Sequence, residues 1–141
     1  MMKNAVEISG LTVVRGGRDI LAAIWGGSSP ITGIEVNRDI LQLVGEEYRD
    51  FARLSTHPGV RLVHDDGRAY LTRTADRYAV IQMSLIDTWA ATGAGAFTLS
   101  ENGLYTVDAW TVFLSRLAPD GVFSVSRWFS PENVSETNRL L

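Results

Sequence analysis

The sequence has no cysteine, which excludes disulfides, thiolate metal sites and cysteine nucleophiles together and is compatible with a reducing compartment. It has only two histidines, a poor basis for a metal site without a third ligand nearby, so no metal is expected. It also lacks a basic stripe. The formal net charge is -3 at pH 7 with Lys and Arg scattered along the chain, so no nucleic-acid partner is expected. No stretch approaches the roughly 20 apolar residues of a membrane helix, and Met1 to Gly10 has no signal-peptide core. The expectation is one soluble cytoplasmic domain over residues 1–141, with no membrane segment.

What is present is apolar content, 45% of the residues, arranged in short runs that alternate with segments of helical period. That alternation is how a parallel sheet covered by helices is written. Leu11 to Val14 reads as a strand, Gly16 and Gly17 as a turn, and Asp19 to Trp25 as a helix. After the break at Gly26 to Pro30, Ile31 to Val36 reads as a second strand with Glu35 at its carboxyl end. Ile40, Leu41, Val44, Tyr48, Phe51 and Leu54 then recur at spacings near three and four, which predicts one amphipathic helix over Arg38 to Leu54.

The turn residues His57-Pro58-Gly59 precede a third strand, Val60 to Val63, which runs into His64, Asp65, Asp66 and Gly67. Arg68 to Thr74 reads as a short helix, Tyr78 to Met83 as a fourth strand and Ala90 to Ala96 as a loop of small residues. Leu104 to Leu117 reads as a helix, Ala118 to Gly121 as a tight turn and Val122 to Ser126 as a fifth strand. Ser130 and Pro131 are the cap and first position of another helix. Trp25, Trp110 and Phe113 read as core, whereas Trp89 and Trp128 are candidates to line a pocket.

The fold class is therefore α/β, a doubly wound, mainly parallel sheet of about five strands that lacks the final strands such a sheet normally has. An unpaired edge of that kind predicts self-association, with a homodimer as the simplest closed outcome.

In such a sheet, ligands sit outside the carboxyl ends of the strands, so the residues just after each strand carry the information. Gly16 and Gly17 let the backbone approach a ligand, and the helix beginning near Asp19 offers free N–H groups. Glu35 closes the second strand about twenty residues later, the spacing at which an acid accepts hydrogen bonds from both hydroxyls of a ribose. Asp65-Asp66-Gly67 after the third strand puts one carboxylate where an adenine amino group can donate to it, or the pair serves as an ordinary turn or helix cap.

These pieces resemble spermidine synthases, the polyamine aminopropyltransferases, within the class I S-adenosylmethionine-dependent methyltransferase superfamily. The likeness rests on Gly16-Gly17-Arg18-Asp19-Ile20-Leu21, Gly33-Ile34-Glu35-Val36-Asn37 and the stretch from Val63 to Leu71. It continues through Arg77 to Ile81, Leu104 to Trp110 and Leu117 to Val122, and covers roughly Val13 to Trp128. The resemblance implies a Rossmann-like fold of methyltransferase type and binding of S-adenosylmethionine or its decarboxylated form as substrate. It further implies transfer of an aminopropyl or methyl group to an amine acceptor. By it, Gly16, Gly17, Asp19 and Gly67 lie on the cofactor side, Glu35 binds ribose, Asp66 binds the adenine amino group, and Asp87 helps to hold the acceptor.

Three positions depart from the family. Its first glycines fall on Val13 and Arg15, where side chains crowd the ligand. The aspartate that takes a proton from the attacking amine falls on Ser84, whose hydroxyl cannot act as that base near neutral pH without an activating partner. Asp87 is the nearest acid that could replace it. A non-catalytic remnant, acting through nucleoside binding or self-association, is the alternative reading.

Overall fold

A computed structural model describes residues 11–14, 17–84 and 103–126. Its strands are β1 (Leu11–Val14), β2 (Ile31–Glu35), β3 (Val60–His64), β4 (Tyr78–Ser84) and β5 (Leu117–Ser126). They form one sheet of order β3-β2-β1-β4-β5, parallel at every pairing. The chain leaves β1 on one side to build β2 and β3, then returns to its other side for β4 and β5. This reversal of direction beside β1 makes the crevice in which doubly wound sheets bind ligands.

The helices are α1 (Gly17–Trp25), α2 (Arg38–Gln42), α3 (Arg49–Ala52), α4 (Gly67–Arg73) and α5 (Val107–Ser115). None among the described residues is long and apolar enough to cross a membrane. Two cores follow from strand alternation, since neighbours such as Val80 and Ile81 point to opposite faces. On one face Ile20, Ala23, Ile31 and Leu54 pack with Val80 at their margin. On the other, Ile81 and Met83 pack with Leu71, Ala109 and Phe113. Phe113 also meets the Phe123 ring at 5.6 Å. All five residues of β2 are buried, as its unalternating sequence ITGIE requires of a strand covered on both faces.

The helix expected over Arg38 to Leu54 is broken. Leu43–Glu47 is a π-helical turn, closed by Tyr48 N–H donating to the Leu43 carbonyl at 2.7 Å. Such a turn inserts one residue, and each residue of a helix advances about 100° around its axis. Tyr48 and Phe51 are accordingly turned off the face that spacing assigned to them and stand 56% and 88% exposed. Arg53 then adopts a left-handed conformation, φ 51°, which ends α3 and returns Leu54 to the core.

Trp25 also departs from expectation. It is 93% exposed, because Ile20 to Trp25 are six apolar residues in succession, and spacing within such a run does not select a face. Burial of Ala23 puts Trp25 about 200° around the helix, toward solvent. The turn at Ala118 to Gly121 lies inside β5, where the register slips between Tyr78 and Val80. A Cβ on Gly121 would stand 2.9 Å from the carbonyl oxygens of Ala118 and Tyr78, so only glycine fits. β5 borders the described sheet, with Val122 exposed.

These orientations predict that Phe113→Ala costs about 3–5 kcal/mol of stability, whereas Trp25→Ala stays within about 0.5 kcal/mol of the unmodified chain. Urea denaturation measures both. Comparable losses in the two variants would contradict the assignment of faces.

Candidate functional site

Three strand ends and two helix starts meet at the carboxyl edge of the sheet. Glu35 and His64 are register partners there, as the last residues of β2 and β3. Two bonds tie the strand ends together: Asp65 N–H donates to the Glu35 carbonyl at 3.2 Å, and His64 Nε2 donates to the Val36 carbonyl at 3.0 Å. The turn between them is held by Asn37, whose side chain accepts from Asp39 N–H at 2.9 Å and caps α2. The backbone N–H of Asn37 in turn donates to Glu35 Oε1 at 2.9 Å.

Glu35 is only 6% exposed. Its Oε2 is buried and has no hydrogen-bond partner among the described residues. Leaving a buried acceptor unpaired costs on the order of 1–3 kcal/mol, and the arrangement makes sense where a ligand supplies the missing donors. The space directly beneath Glu35, lined by Gly17, Ile20, Gly33 and Leu41, holds about 30 Å³. That is room for about one water, with Gly17 at the start of α1 on one side. Val36, the next residue, is 58% exposed.

The other carboxylates are engaged. Asp66 is the N-cap of α4, its Oδ1 accepting from Ala69 N–H at 2.8 Å. Its Oδ2 accepts no hydrogen bond from the described residues, so capping and ligand binding can coexist on one side chain. Asp65 accepts from Asp66 N–H and pairs with Arg73. Asp19 lies in the first turn of α1, where a negative charge favours the helix dipole. Ser84 ends β4 and its hydroxyl accepts from Gln82 Nε2 at 3.2 Å, which provides no base to activate it. Gly67 is buried at the start of α4.

Glu35, Asp66 and Gly17 are thus brought to one edge, as the sequence suggested. Gly16, Arg15, the side chain of Val13, Asp87, Trp89 and Trp128 lie outside what is described. The parts of Asn37 and His64 in setting the strand end were missed. An asparagine immediately before a helical segment is a recognisable cap signal, whereas the His64 contact spans 28 residues and leaves no local trace.

No family model and no curated protein sequence matches the chain. Solved structures do share its fold. A spermidine synthase in complex with the transition-state analogue AdoDATO superposes with TM-score 0.64 at 17% identity, over 83% of this chain and 38% of that one. A SAM-dependent methyltransferase from Agrobacterium tumefaciens gives 0.61 at 12% identity, over 97% and 44%. Spermidine synthase from Thermotoga maritima gives 0.59 at 15%, over 85% and 37%. The chain spans less than half the length of each. At these identities the likeness establishes the architecture: the sheet is the Rossmann-like fold of methyltransferase type, as the resemblance to spermidine synthases implied.

The double duty of Asp66 is testable. Asp66→Ala should cost about 0.5–2 kcal/mol through loss of the cap, whereas Asp66→Asn, also a good cap, should change stability by only a few tenths of a kcal/mol. Thermal unfolding of the two variants checks this, and equal destabilisation by both would remove the capping role.

Proposed function

We propose that the chain binds S-adenosylmethionine, or its decarboxylated form, across the carboxyl edge of the sheet and serves group transfer to an amine. The observation that carries this reading is the buried, unpartnered Oε2 of Glu35. A ribose diol supplies two donors, and Glu35 retains acceptor capacity for both, since Oε1 uses one lone pair on Asn37 and Oε2 uses none. The free oxygen of Asp66 then stands ready for the adenine amino group, and the N–H groups at the start of α1 border the same space.

A sulfonium is already an activated electrophile, so placement supplies much of the rate. In transfer to an amine, nitrogen forms a bond to the carbon next to sulfur, that C–S bond breaks, and its electron pair stays on sulfur. The attacking amine must also lose a proton. Ser84 cannot take it, and Asp87 is the acid proposed for that task and for attracting a cationic acceptor. A second reading, nucleoside binding without transfer, is favoured by Ser84 itself, whose hydroxyl is bonded to Gln82 and has no base beside it in the described structure.

Calorimetric titration with S-adenosylmethionine, decarboxylated S-adenosylmethionine and methylthioadenosine tests the binding. Each charge-assisted bond to the diol is worth roughly 1.5–3 kcal/mol, so Glu35→Gln should weaken the tightest of these ligands at least about tenfold. An unchanged Kd in a folded variant would sink the assignment. With putrescine and decarboxylated S-adenosylmethionine, turnover should fall about 10²- to 10⁴-fold below an ordinary enzyme for want of the base. A rate of about 1 per second or faster would instead show that another residue supplies it.

A further inference from the structure

A cavity larger than the space beneath Glu35 lies at the opposite edge of the sheet among the described residues. It measures about 370 Å³ and is lined by Pro30, Thr32, Gly59, Arg61, Asp76 and Tyr78, at the amino-terminal ends of β2, β3 and β4. The four residue steps of β2 separate the two edges by about 13 Å, so one small ligand cannot occupy both. Its size is within the range of small-molecule sites, roughly 300–1,000 Å³.

Arg61 and Asp76 carry opposite charges into this cavity, yet they do not pair. Among the described residues the one salt bridge is Arg73 with Asp65. Asp76 accepts no hydrogen bond on its carboxylate there, and its backbone N–H is held by Thr74 Oγ1 at 3.2 Å. Arg61 is anchored from behind: it donates to the Tyr70 hydroxyl, and its guanidinium carbon stands 5.8 Å from the centre of the Tyr70 ring. Tyr78, 3% exposed, donates to the same hydroxyl at 3.4 Å. Burial and the neighbouring Tyr78 push the Tyr70 phenol up to about 12, so it stays neutral and leaves the charge of Arg61 uncompensated. One Arg61 N–H is used on Tyr70, and a guanidinium has five.

We propose that this cavity is a second small-molecule site, built for the zwitterion of a small α-amino acid, with the carboxylate on Arg61 and the ammonium on Asp76. Two charges of opposite sign that do not bond one another but line one space match a ligand that carries both signs close together. An arginine held by Tyr70 loses little further freedom on binding a carboxylate, which favours recognition by a preorganised fork. The buried Thr32 beside Arg61, its register partner, adds a hydroxyl to the wall.

The test is titration of the isotope-labelled full chain with L-serine, followed by backbone amide shifts at Gly59, Arg61 and Asp76. Saturable shifts with Kd of about 1 mM or tighter are expected. N-acetyl-L-serine lacks the ammonium and ethanolamine lacks the carboxylate, and each should bind at least about tenfold more weakly, as should L-serine to Asp76→Asn and to Arg61→Gln. Asp76 is exposed and outside both cores, so that variant remains informative if Arg61→Gln fails to fold. Glu35→Gln should leave L-serine binding unchanged, and methylthioadenosine, a nucleoside without an α-amino acid group, should not displace it, which separates this site from the nucleoside site. Absence of shifts at this edge, equal binding of N-acetyl-L-serine, or an unaffected Asp76→Asn variant would each overturn the proposal.

Discussion

The close approach of α1 to β2 at Gly33 is the constraint on which the rest depends. A Cβ at that position would stand 2.5 Å from Ile20 Cδ1 and 3.1 Å from Leu62 Cδ2. With glycine there, Ile20 closes onto the strand and the first core forms around it. The same contact draws the start of α1, at Gly17, down beside the end of β2. Glu35, two residues beyond Gly33, is a buried carboxylate that lines the small space there. A larger residue at 33 would have to push the tips of the Ile20 and Leu62 side chains out of their places beside the strand.

From that edge outward, the acidic residues divide their tasks by what surrounds them. Asp65 is taken by Arg73 and by the next backbone N–H, Asp66 spends one oxygen on the first turn of α4, and Glu35 spends one on Asn37. Each of these bonds fixes a carboxylate in place. What remains is one open oxygen on Glu35, at the end of β2, and one on Asp66, just beyond the end of the neighbouring β3. Orientation by local backbone N–H groups is inexpensive, because strand and helix ends have donors to spare. This is why a ligand site at the carboxyl edge of a parallel sheet arises from so few residues.

The two edges of the sheet differ in a way that follows from this. At the carboxyl edge, polar groups are bound to backbone and the space is small. At the amino edge, Arg61 is bonded to the Tyr70 hydroxyl and Asp76 lies in the segment between α4 and β4, and the cavity there is roomier. Helix dipoles favour anions at the first edge, whereas opposite charges that do not bond each other line the second.

Much was legible in the sequence by itself. Short apolar runs spaced by helical segments determined a parallel α/β sheet, because a strand buried on both faces has no polar positions to alternate. Gly17, Glu35 and Asp66-Gly67 marked the carboxyl edge, because ligand contacts in such a sheet fall just after strands. What only the tertiary structure decided were faces and pairings across distance. Trp25, Tyr48 and Phe51 turn outward because a continuous apolar run names no face and a single π-turn rotates everything after it. The bond of His64 to the Val36 carbonyl, the unpaired oxygen of Glu35, and the meeting of Arg61 with Asp76 each join residues far apart in the chain or depend on what is missing around an atom. Composition and spacing record neither, since both arise only when strands distant in sequence are laid side by side.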